Sequence, residues 1–404
     1  MTKNRGRLPL QGLKIIDAAT MLAAPWSATF LADFGAEVIK IEHPETGCPG
    51  RNYGKQKNGI GVFWKSLNRN KKSITLNLSS VEGQDLFRKL AAQMDVVIEN
   101  YRPGTFEKWE LGYDVLSKIN PSLIMLRTTG FGQSGPYASR AGFGTVAEGM
   151  SGFASINGAK DGPPTLPAMA LADGVNGIAG ALAIMIAVYE RDRNPDRRGQ
   201  CIDISLYEPL MRLLEPHISA YDQLGTIARP IGNGSASVAP RNAYQTKEGK
   251  WVALSAGAGQ SIAANVFRAV GRPELKDDAR FIDNAARVTH ARELDEIIGA
   301  WIKERDLDEV VRTFNECGAV IGPMYDMSQL FEDPHFKARE SFITLDDRDF
   351  GKIRVTNVLA KFGRTPGKVT TPGPDKGQHN HEVYATMLSL SDQQLEDLKN
   401  KKVI

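Results

Sequence analysis

Residues 13–42 read LKIIDAATMLAAPWSATFLADFGAEVIKIE and contain three structural elements in a row. The apolar run 13–17 predicts a buried strand, and residues 37–42 predict a second one. Between them, Pro25 stands where the first residue of a helix often stands, and residues 26–34 have a helical pattern. Two strands joined by a helix form a βαβ unit, which predicts a parallel sheet.

The same alternation continues through the first half of the chain. Ser79 and Glu82 have the spacing of a capping box and predict a helix that ends near Gln93. Strands that alternate with helices predict an α/β domain with a Rossmann-like parallel sheet. No G-x-G-x-x-G follows the first strand, which argues against NAD as a ligand. The further strands and helices of this part are predicted at residues 73–77, 96–99, 123–128 and 201–206, and at residues 174–191 and 207–224.

The composition changes near Gly225. A predicted strand at 251–255 is followed by helical patterns, which indicates a separate, smaller α+β domain that ends near Phe336. A strand at 353–360 and a short helix at 391–399, capped by Ser391, complete the chain. The helical patterns of the smaller domain cover residues 264–270, 291–303 and 307–317.

Charge and cysteine content exclude several classes of protein. The 404 residues carry a formal net charge of +3, too small an excess to argue for nucleic acid. The three cysteines are far apart and form no disulfide or zinc pattern, which fits a cytoplasmic protein. The longest apolar run, 178–188, is shorter than the roughly 18 residues of a membrane span. The basic runs 70–72 and 399–402 are typical of solvated surface.

Common catalytic motifs are missing from the sequence. The six histidines do not have the spacing of metal ligands, and we interpret them as structural or surface groups. There is neither a G-x-S-x-G nucleophile elbow nor a Walker A sequence, so a triad hydrolase and a nucleotide kinase are both unsupported. The histidines are His43, His217, His290, His335, His379 and His381.

Asp173 is the residue best placed for chemistry. It lies between an apolar stretch and a helix predicted to begin at Gly174. A carboxylate there is close to the free N–H groups and the positive end of the helix dipole. The same position suits a plain helix cap, and the local sequence does not decide between cap and nucleophile. Likewise, the glycine-rich segment 130–136 fits either a ligand-binding loop at a strand end or a set of turns.

A series of short motifs over nearly the whole chain resembles the class III CoA-transferases, the CaiB/BaiF type that includes formyl-CoA and carnitine CoA-transferases. Each motif alone is weak, but their order is specific. The motifs are residues 9–17 (PLQGLKIID), Ala24-Pro25, residues 31–42 (LADFGAEVIKIE), 70–74 (NKKSI), 99–104 (ENYRPG), 130–132 (GFG), 135–137 (GPY), Ala172-Asp173 with Gly177, Gly199-Gln200, 203–208 (DISLYE), Gly322-Pro323 and Asp333-Pro334.

The resemblance implies an architecture and a substrate. Two such chains interlock as a homodimer, and both chain ends belong to the large domain. We therefore expect a discontinuous CoA-binding domain, residues 1–224 and 337–404, and a small domain with linkers, residues 225–336. CoA and acyl-CoA would be substrates, with no permanently bound cofactor and no metal. A small carboxylic acid would be the other substrate.

The resemblance also implies site residues. Asp173 matches the nucleophile, which would form an acyl anhydride and then an aspartyl-CoA thioester. For each basic residue among the expected CoA contacts, ordinary solvated surface remains the alternative. The positions that match CoA contacts are Met21, Leu22, Ala23, His43, Leu76, Asn100, Tyr101, Lys108 and Arg140.

Departures from the family pattern bear on the acid. Leu22 replaces a glutamine of formyl-CoA transferase, and residues 232–237 (GNGSAS) replace its polyglycine lid. We therefore disfavour formate and oxalate and expect small dicarboxylates such as succinate. Glu148 stands where glutamine is common, with no predicted consequence. Whether residues 232–237 form a lid over the site is left undecided by the sequence.

Two rival functions remain. α-Methylacyl-CoA racemases of the same family pair an aspartate with a histidine, and that histidine would fall at Phe143. A racemase would therefore lack one base here. A CoA-ester-binding protein without catalysis is the second rival, and the presence of Asp173 argues against it.

Overall fold

The computed structural model describes residues 7–257 and 259–404 and divides into two compact units. The large unit contains the described residues up to Phe153, with Leu166–Leu224 and Glu340–Ile404. The small unit contains Ala154–Thr165 and Gly225–Arg339. It therefore takes in a segment, 154–165, that the sequence prediction assigned to the large domain. A hydrogen bond from Gly232 N–H to the Gly158 carbonyl ties that segment to the start of the small unit.

The strands, in chain order, are β1 (Lys14–Asp17), β2 (Glu37–Glu42), β3 (Gln56–Lys57), β4 (Ile60–Gly61), β5 (Lys71–Thr75), β6 (Val96–Glu99), β7 (Ile124–Thr129), β8 (Cys201–Ser205), β9 (Arg241–Gln245), β10 (Trp251–Ser255), β11 (Ile321–Pro323), β12 (Phe342–Asp347) and β13 (Gly351–Thr356). The α-helices are α1 (Ala23–Ala32), α2 (Val62–Leu67), α3 (Val81–Ala91), α4 (Thr105–Lys108), α5 (Tyr113–Ile119), α6 (Gly144–Met150), α7 (Phe153–Ile156), α8 (Leu171–Arg193), α9 (Glu208–Arg212), α10 (Glu215–Leu224), α11 (Gln260–Ala269), α12 (Asn284–Thr289), α13 (Ala291–Lys303), α14 (Leu307–Glu316), α15 (Met327–Glu332), α16 (Pro334–Ala338), α17 (Asn380–Leu388) and α18 (Asp392–Asn400). Two 3₁₀ turns lie at Pro49–Asn52 and Pro273–Asp277.

The large unit is built on a six-stranded parallel sheet with the order β5-β2-β1-β6-β7-β8. The predicted α/β fold, a parallel sheet accompanied by a smaller mixed domain, is confirmed. Both faces of the sheet are covered. Ile15 packs with Ile184 of α8 in one apolar cluster, and Ile16 packs with Phe87 of α3 and Tyr384 of α17 in another. Successive side chains of β1 thus pack into cores on opposite faces of the sheet, as expected for a central strand.

The strand order reverses between β1 and β6, because the chain first builds outward through β2 and β5 and then through β7 and β8. In open parallel sheets the crevice beyond the carboxyl ends of such a pair is where ligands bind. The loops that follow the two strands meet there. Thr20 N–H donates to Asn100 Oδ1 at 2.7 Å, and Asn100 Nδ2 donates to the Thr20 carbonyl at 2.8 Å.

Helix starts show where local patterns misled the prediction. The cap of α3 is Ser80, whose hydroxyl accepts the Gly83 N–H, so the predicted Ser79–Glu82 capping box is wrong. Ser391 does cap α18, within a complete capping box, as predicted. The predicted helix 207–224 is two helices, because Pro216 has no N–H to donate to the carbonyl four residues earlier.

Helix α8 begins at Leu171, three residues earlier than predicted, so Asp173 lies inside the first turn and Ala170 occupies the cap position. The cap interpretation of Asp173 is therefore wrong. The helix is also longer than the apolar run in the sequence suggested. By length and composition alone it could cross a membrane, a test that core helices of soluble proteins also pass.

The small unit has its own core. Its sheet is antiparallel, with the order β11-β10-β9. The amphipathic helices α11, α13 and α14 bury Val266, Ile298 and Val310 in one apolar cluster. The segment predicted as a strand at 353–360 is β13, which ends at Thr356 and pairs with β12 in a two-stranded hairpin of the large unit.

Candidate active site

Asp173 lies in a cavity of the large unit with a volume of about 630 Å³. Its walls come from the loop after β1, from α6 and from the segment that leads into α8. Most of the lining is apolar, and within the described chain its titratable side chains are Tyr53, Glu148 and Asp173. The complete lining is Met21, Leu22, Tyr53, Phe143, Gly144, Thr145, Val146, Glu148, Leu166, Pro167, Ala168, Met169, Ala170 and Asp173.

The surroundings of Asp173 make ionisation of its carboxyl group less favourable than usual. Burial and then the negative charge of Glu148 raise its pKa to about 6, although hydrogen bonds from the backbone N–H groups of Asp173 itself and of Ala23 lower it. No cation lines the described cavity to offset the two carboxylates. A carboxylate that is ionised at neutral pH but more basic than usual is suited to act as a nucleophile.

Glu148 holds the start of the helix that carries Asp173. Its side chain is 3% exposed, and its Oε1 accepts the N–H groups of Leu171 at 2.9 Å and Ala172 at 3.2 Å. These are the first two residues of α8, whose N–H groups have no partner within the helix. The sequence prediction left this residue without a role, because the contact spans 23 positions of the chain.

The loop after β1 contains Met21 and Leu22 and leads into Ala23, the first residue of α1. Buried charged side chains anchor this loop. Asp17 bonds Lys40 Nζ at 3.2 Å and Lys71 Nζ at 2.8 Å, and all three side chains are fully buried. Lys40 also donates to the Ala19 carbonyl, and Lys71 donates to the Pro25 carbonyl at 2.7 Å. These bonds fix both ends of the loop. The prediction that residues 70–72 form a solvated run is wrong for Lys71.

Two smaller cavities adjoin the one around Asp173 at the carboxyl edge of the sheet. The second, of about 160 Å³, is lined by His43, Leu76 and Tyr101, all predicted CoA contacts. The third, of about 200 Å³, is lined by Asn100 and Arg140, two more of them, and by Tyr101 and Phe143. Tyr101 thus separates the second cavity from the third, and Phe143 separates the third from the cavity of Asp173. Seven of the nine predicted contacts line these cavities, whereas Ala23, the first residue of α1, and Lys108 line none of them.

The basic residues in this region differ in their surroundings. Lys108 ends α4 outside the three cavities, and Arg140 lies over the ring of Tyr137 at 3.7 Å. Neither side chain forms an ion pair with any residue that the structure describes. Arg127, by contrast, is tied to Glu99 and Glu107, both at 2.6 Å. Lys108 and Arg140 therefore have no carboxylate partner among the described residues, and the same holds for Arg102, which lines the third cavity.

The loop predicted as a candidate lid, residues 232–237, belongs to the small unit. Arg241 donates to the Gly234 carbonyl at 2.7 Å, and Asn284 donates to the Ser237 carbonyl at 2.8 Å. The loop borders a cavity of about 650 Å³ within that unit. Its proposed function as a lid stays a prediction.

No group of three or more His, Cys, Asp or Glu side chains within residues 7–257 and 259–404 is arranged to hold a metal ion. His379, one of the two histidines that stood close in sequence, accepts the Ser73 N–H at 3.0 Å through Nδ1. His381 contacts Asp392 at 3.0 Å.

Several known proteins are similar to this chain. Over its full length the chain is 40% identical to the whole of a succinyl-CoA–D-citramalate CoA-transferase from Chloroflexus aurantiacus. It is 32% identical to the human succinyl-CoA:glutarate CoA-transferase, across 98% of this chain and 90% of that protein. A crystal structure of a CaiB/BaiF family protein from Brucella suis superimposes with a TM-score of 0.83 at 32% identity, covering 94% of this chain and 100% of the other.

The family description that matches is CoA-transferase family III, and the match runs over residues 10–380. The region includes both units and every predicted site residue. The resemblance that the sequence motifs indicated is thereby confirmed, and the chain belongs to CoA-transferase family III.

Proposed function

We propose that this protein transfers CoA from an acyl-CoA thioester to a free carboxylic acid, with Asp173 as the covalent carrier. One observation carries the proposal: a row of three cavities along the carboxyl edge of the sheet ends at a partly buried, unusually basic carboxylate. An extended molecule with a nucleotide at one end and a reactive thioester at the other suits such a row. Seven of the nine expected CoA contacts line it.

The reaction proceeds by four displacements at carbonyl carbons. The Asp173 carboxylate attacks the donor thioester, which expels CoA thiolate and leaves a mixed anhydride. The thiolate attacks the Asp173 carbonyl carbon, so the donor acid leaves and an aspartyl-CoA thioester remains. The acceptor carboxylate attacks this thioester, which expels CoA thiolate and leaves a second mixed anhydride, between Asp173 and the acceptor. The thiolate then attacks the acceptor carbonyl carbon, so the new acyl-CoA forms and the Asp173 carboxylate is released. One thioester is lost and one is formed, so the reaction needs no ATP.

The Ala23 N–H supplies a donor for these steps. It lies close enough to the Asp173 carboxylate to lower its pKa in the resting site. When the Asp173 carbonyl is attacked, negative charge grows on its oxygen, where a preset backbone N–H is most effective. Asp17, Lys40 and Lys71 fix the loop that carries this group, and thereby its direction.

The acids that we propose are small dicarboxylates, with succinyl-CoA as a donor. Support comes from the names of the relatives, which are succinyl-CoA transferases acting on citramalate, malate and glutarate. CoA enters and leaves as a substrate, and we propose no permanently bound cofactor. A racemase is disfavoured because Phe143, where its histidine would stand, has no titratable group.

The test is an assay of purified protein with several acyl-CoA donors and a panel of carboxylates, read by mass spectrometry of the CoA esters. We expect new CoA esters from dicarboxylates with the wild type. Asp173→Ala should abolish transfer and keep CoA binding, while Asp192→Ala, on the exposed part of the same helix, should keep both. Transfer by Asp173→Ala would contradict the mechanism. Exchange of the α-hydrogen for deuterium without CoA movement would indicate a racemase instead.

We also propose that the protein is a homodimer. Helix α8 exposes Ile178, Leu182, Ile186 and Tyr189 at helical spacing, each between 47% and 62% exposed. Contiguous apolar surface of this kind is typical of protein contacts. Light scattering should give twice the chain mass of 44.2 kDa, and Leu182→Glu should lower it. A monomer mass for the wild type would contradict the proposal.

A cytoplasmic location is proposed as well. The three cysteines, Cys48, Cys201 and Cys317, are all free, which suits a reducing compartment. Cell fractionation with an antibody against the protein tests this, and recovery in a membrane or secreted fraction would contradict it.

A further inference from the structure

The carboxylate of Glu148 occupies the positive end of the helix that carries Asp173. Helix N-termini favour negative charge, because their first N–H groups lack partners and the helix dipole points its positive end there. An aspartate in the first turn, such as Asp173, would normally gain from this. In this structure, however, the N–H groups of Leu171 and Ala172 donate to Glu148 instead.

Few groups near Asp173 remain that could stabilise its negative charge. The backbone N–H groups of Asp173 itself and of Ala23 lower its pKa. From α6 it faces Glu148, and from the segment after β2 the cavity receives Tyr53. The described residues of α1 and of the loop before it present no titratable group to the cavity. The carboxylate of Asp173 therefore meets one negative charge and no positive one.

We propose that Glu148 is a positioning residue of the transfer reaction: it takes the N-terminal N–H groups of α8 and places a negative charge beside Asp173, which keeps that carboxylate basic. The inference rests on the proposed function, in which Asp173 is the nucleophile. The raised pKa of Asp173, to which Glu148 contributes after burial, agrees with it.

The chemical consequence concerns the mixed anhydride. The CoA thiolate can attack either carbonyl carbon of this intermediate. Attack at the donor carbon expels Asp173 and returns the substrate, whereas attack at the Asp173 carbon expels the donor acid and carries the reaction forward. The less basic carboxylate is the better leaving group. A basic Asp173 therefore directs the thiolate to the productive carbon, and it is also the stronger nucleophile in the first step.

Glu148→Gln separates charge from shape. Glutamine keeps an acceptor oxygen for the helix N–H groups and removes the negative charge. We expect the midpoint of the pH–rate profile for acylation of Asp173 to fall by about one unit from its wild-type value. With a Brønsted slope near 0.5, as for thiolates, the plateau rate should fall about threefold. Glu190→Gln, at the exposed far end of α8, is the matched control and should change neither.

The experiment is rapid-quench mass spectrometry of the full-length protein with succinyl-CoA between pH 3.5 and 8, which counts the adduct on Asp173. A lower midpoint in Glu148→Gln supports the inference. An unchanged midpoint overturns it, including the case in which the rate falls equally at every pH, as a purely structural role would produce.

A measurement on the wild type alone guards against misfolding of the variant, which thermal unfolding would reveal. The wild-type midpoint should lie near the raised pKa of about 6, and a midpoint near 4 overturns the inference without any variant. Absence of any adduct on Asp173 in the wild type overturns the proposed function and this inference together. An adduct with an unshifted midpoint in Glu148→Gln overturns the inference alone.

Discussion

The carboxylate of Asp173 occupies the space where a side chain of Gly144 would lie, because a Cβ atom added to Gly144 would be 2.1 Å from Oδ2 of Asp173. Gly144 is the first residue of α6 and is buried. The absence of a side chain at this position is therefore what lets the Asp173 carboxylate lie against α6. The requirement is steric, because the contact is with a side-chain oxygen and the backbone of Gly144 is ordinary for any residue.

Gly144→Ala should move Asp173 out of place while the fold persists. A displacement on the order of 1 Å can cost roughly 100-fold in rate, so we expect at least that loss in transfer. Steady-state assays with succinyl-CoA and a dicarboxylate measure it. The matched control is Gly149→Ala on the same helix, where an added Cβ would meet nothing within 4 Å. It should keep full activity and gain about 0.5–1 kcal/mol of stability. Equal activity of the two variants would contradict the steric argument.

Asp173 should lower the stability of the protein at neutral pH. Its pKa is about 6 in the folded chain against 3.8 as the ordinary value, so the folded state binds the proton more tightly. Between these two pH values the free energy of unfolding should therefore fall as pH rises. Each pKa unit corresponds to about 1.4 kcal/mol, so Asp173→Asn should stabilise the protein by about 3 kcal/mol at pH 7. Urea unfolding of the wild type and of Asp173→Asn at pH 4 and pH 7 measures the pH dependence and the stabilisation. The same pH dependence in both proteins would contradict the prediction.

Asp17 should matter more for stability than any surface carboxylate. Burial alone would raise its pKa, but Lys40 and Lys71 outweigh burial and lower it. Asp17→Asn would leave two fully buried lysines without a counter-charge, which costs about 3–5 kcal/mol. The control is Asp85→Asn, which breaks an exposed pair with Arg88 and should cost less than about 1 kcal/mol. Equal unfolding midpoints for the two variants in urea would show that the cluster is not needed.

Local patterns located the strands and long helices well. The predicted bounds of β2, β6, β10 and α13 are those of the structure. Ordered motifs, and not any single one, singled out Asp173. Local patterns work here because buried parallel strands and amphipathic helices have periodicities that a short window contains.

What the sequence left out depends on contacts between distant positions. Lys71 looked like surface in a basic run, and it is buried because β5 lies two strands from Asp17, 54 positions away in the chain. Glu148 looked like a substitution without consequence, and its partners come 23 and 24 positions later. Gly144 follows Phe143, the position that argued against a racemase. Only the folded chain shows that the Asp173 carboxylate occupies the space that a side chain at Gly144 would take. Pairings of this kind have no local periodicity and need the fold.

Lys108 and Arg140 should contribute to CoA affinity through its phosphates. Both lie near the row of cavities and lack a carboxylate partner among the described residues, so a phosphate would gain a charge-assisted bond without breaking an existing pair. Lys108→Met and Arg140→Met should each raise the Kd for CoA about fivefold, which corresponds to about 1 kcal/mol. Isothermal titration at low and high salt measures this, and the difference should shrink at high salt.

The same variants give a sharper result with a shortened ligand. Pantetheine carries the thiol of CoA and none of its phosphates, so its affinity should be the same for both variants and the wild type. Lys118→Met, an exposed lysine on α5, is the control and should bind both ligands normally. If Lys108→Met weakened pantetheine as much as CoA, its effect would come from a disturbed α4 and not from a phosphate contact. If neither variant weakened CoA, both cations would belong to ordinary solvated surface.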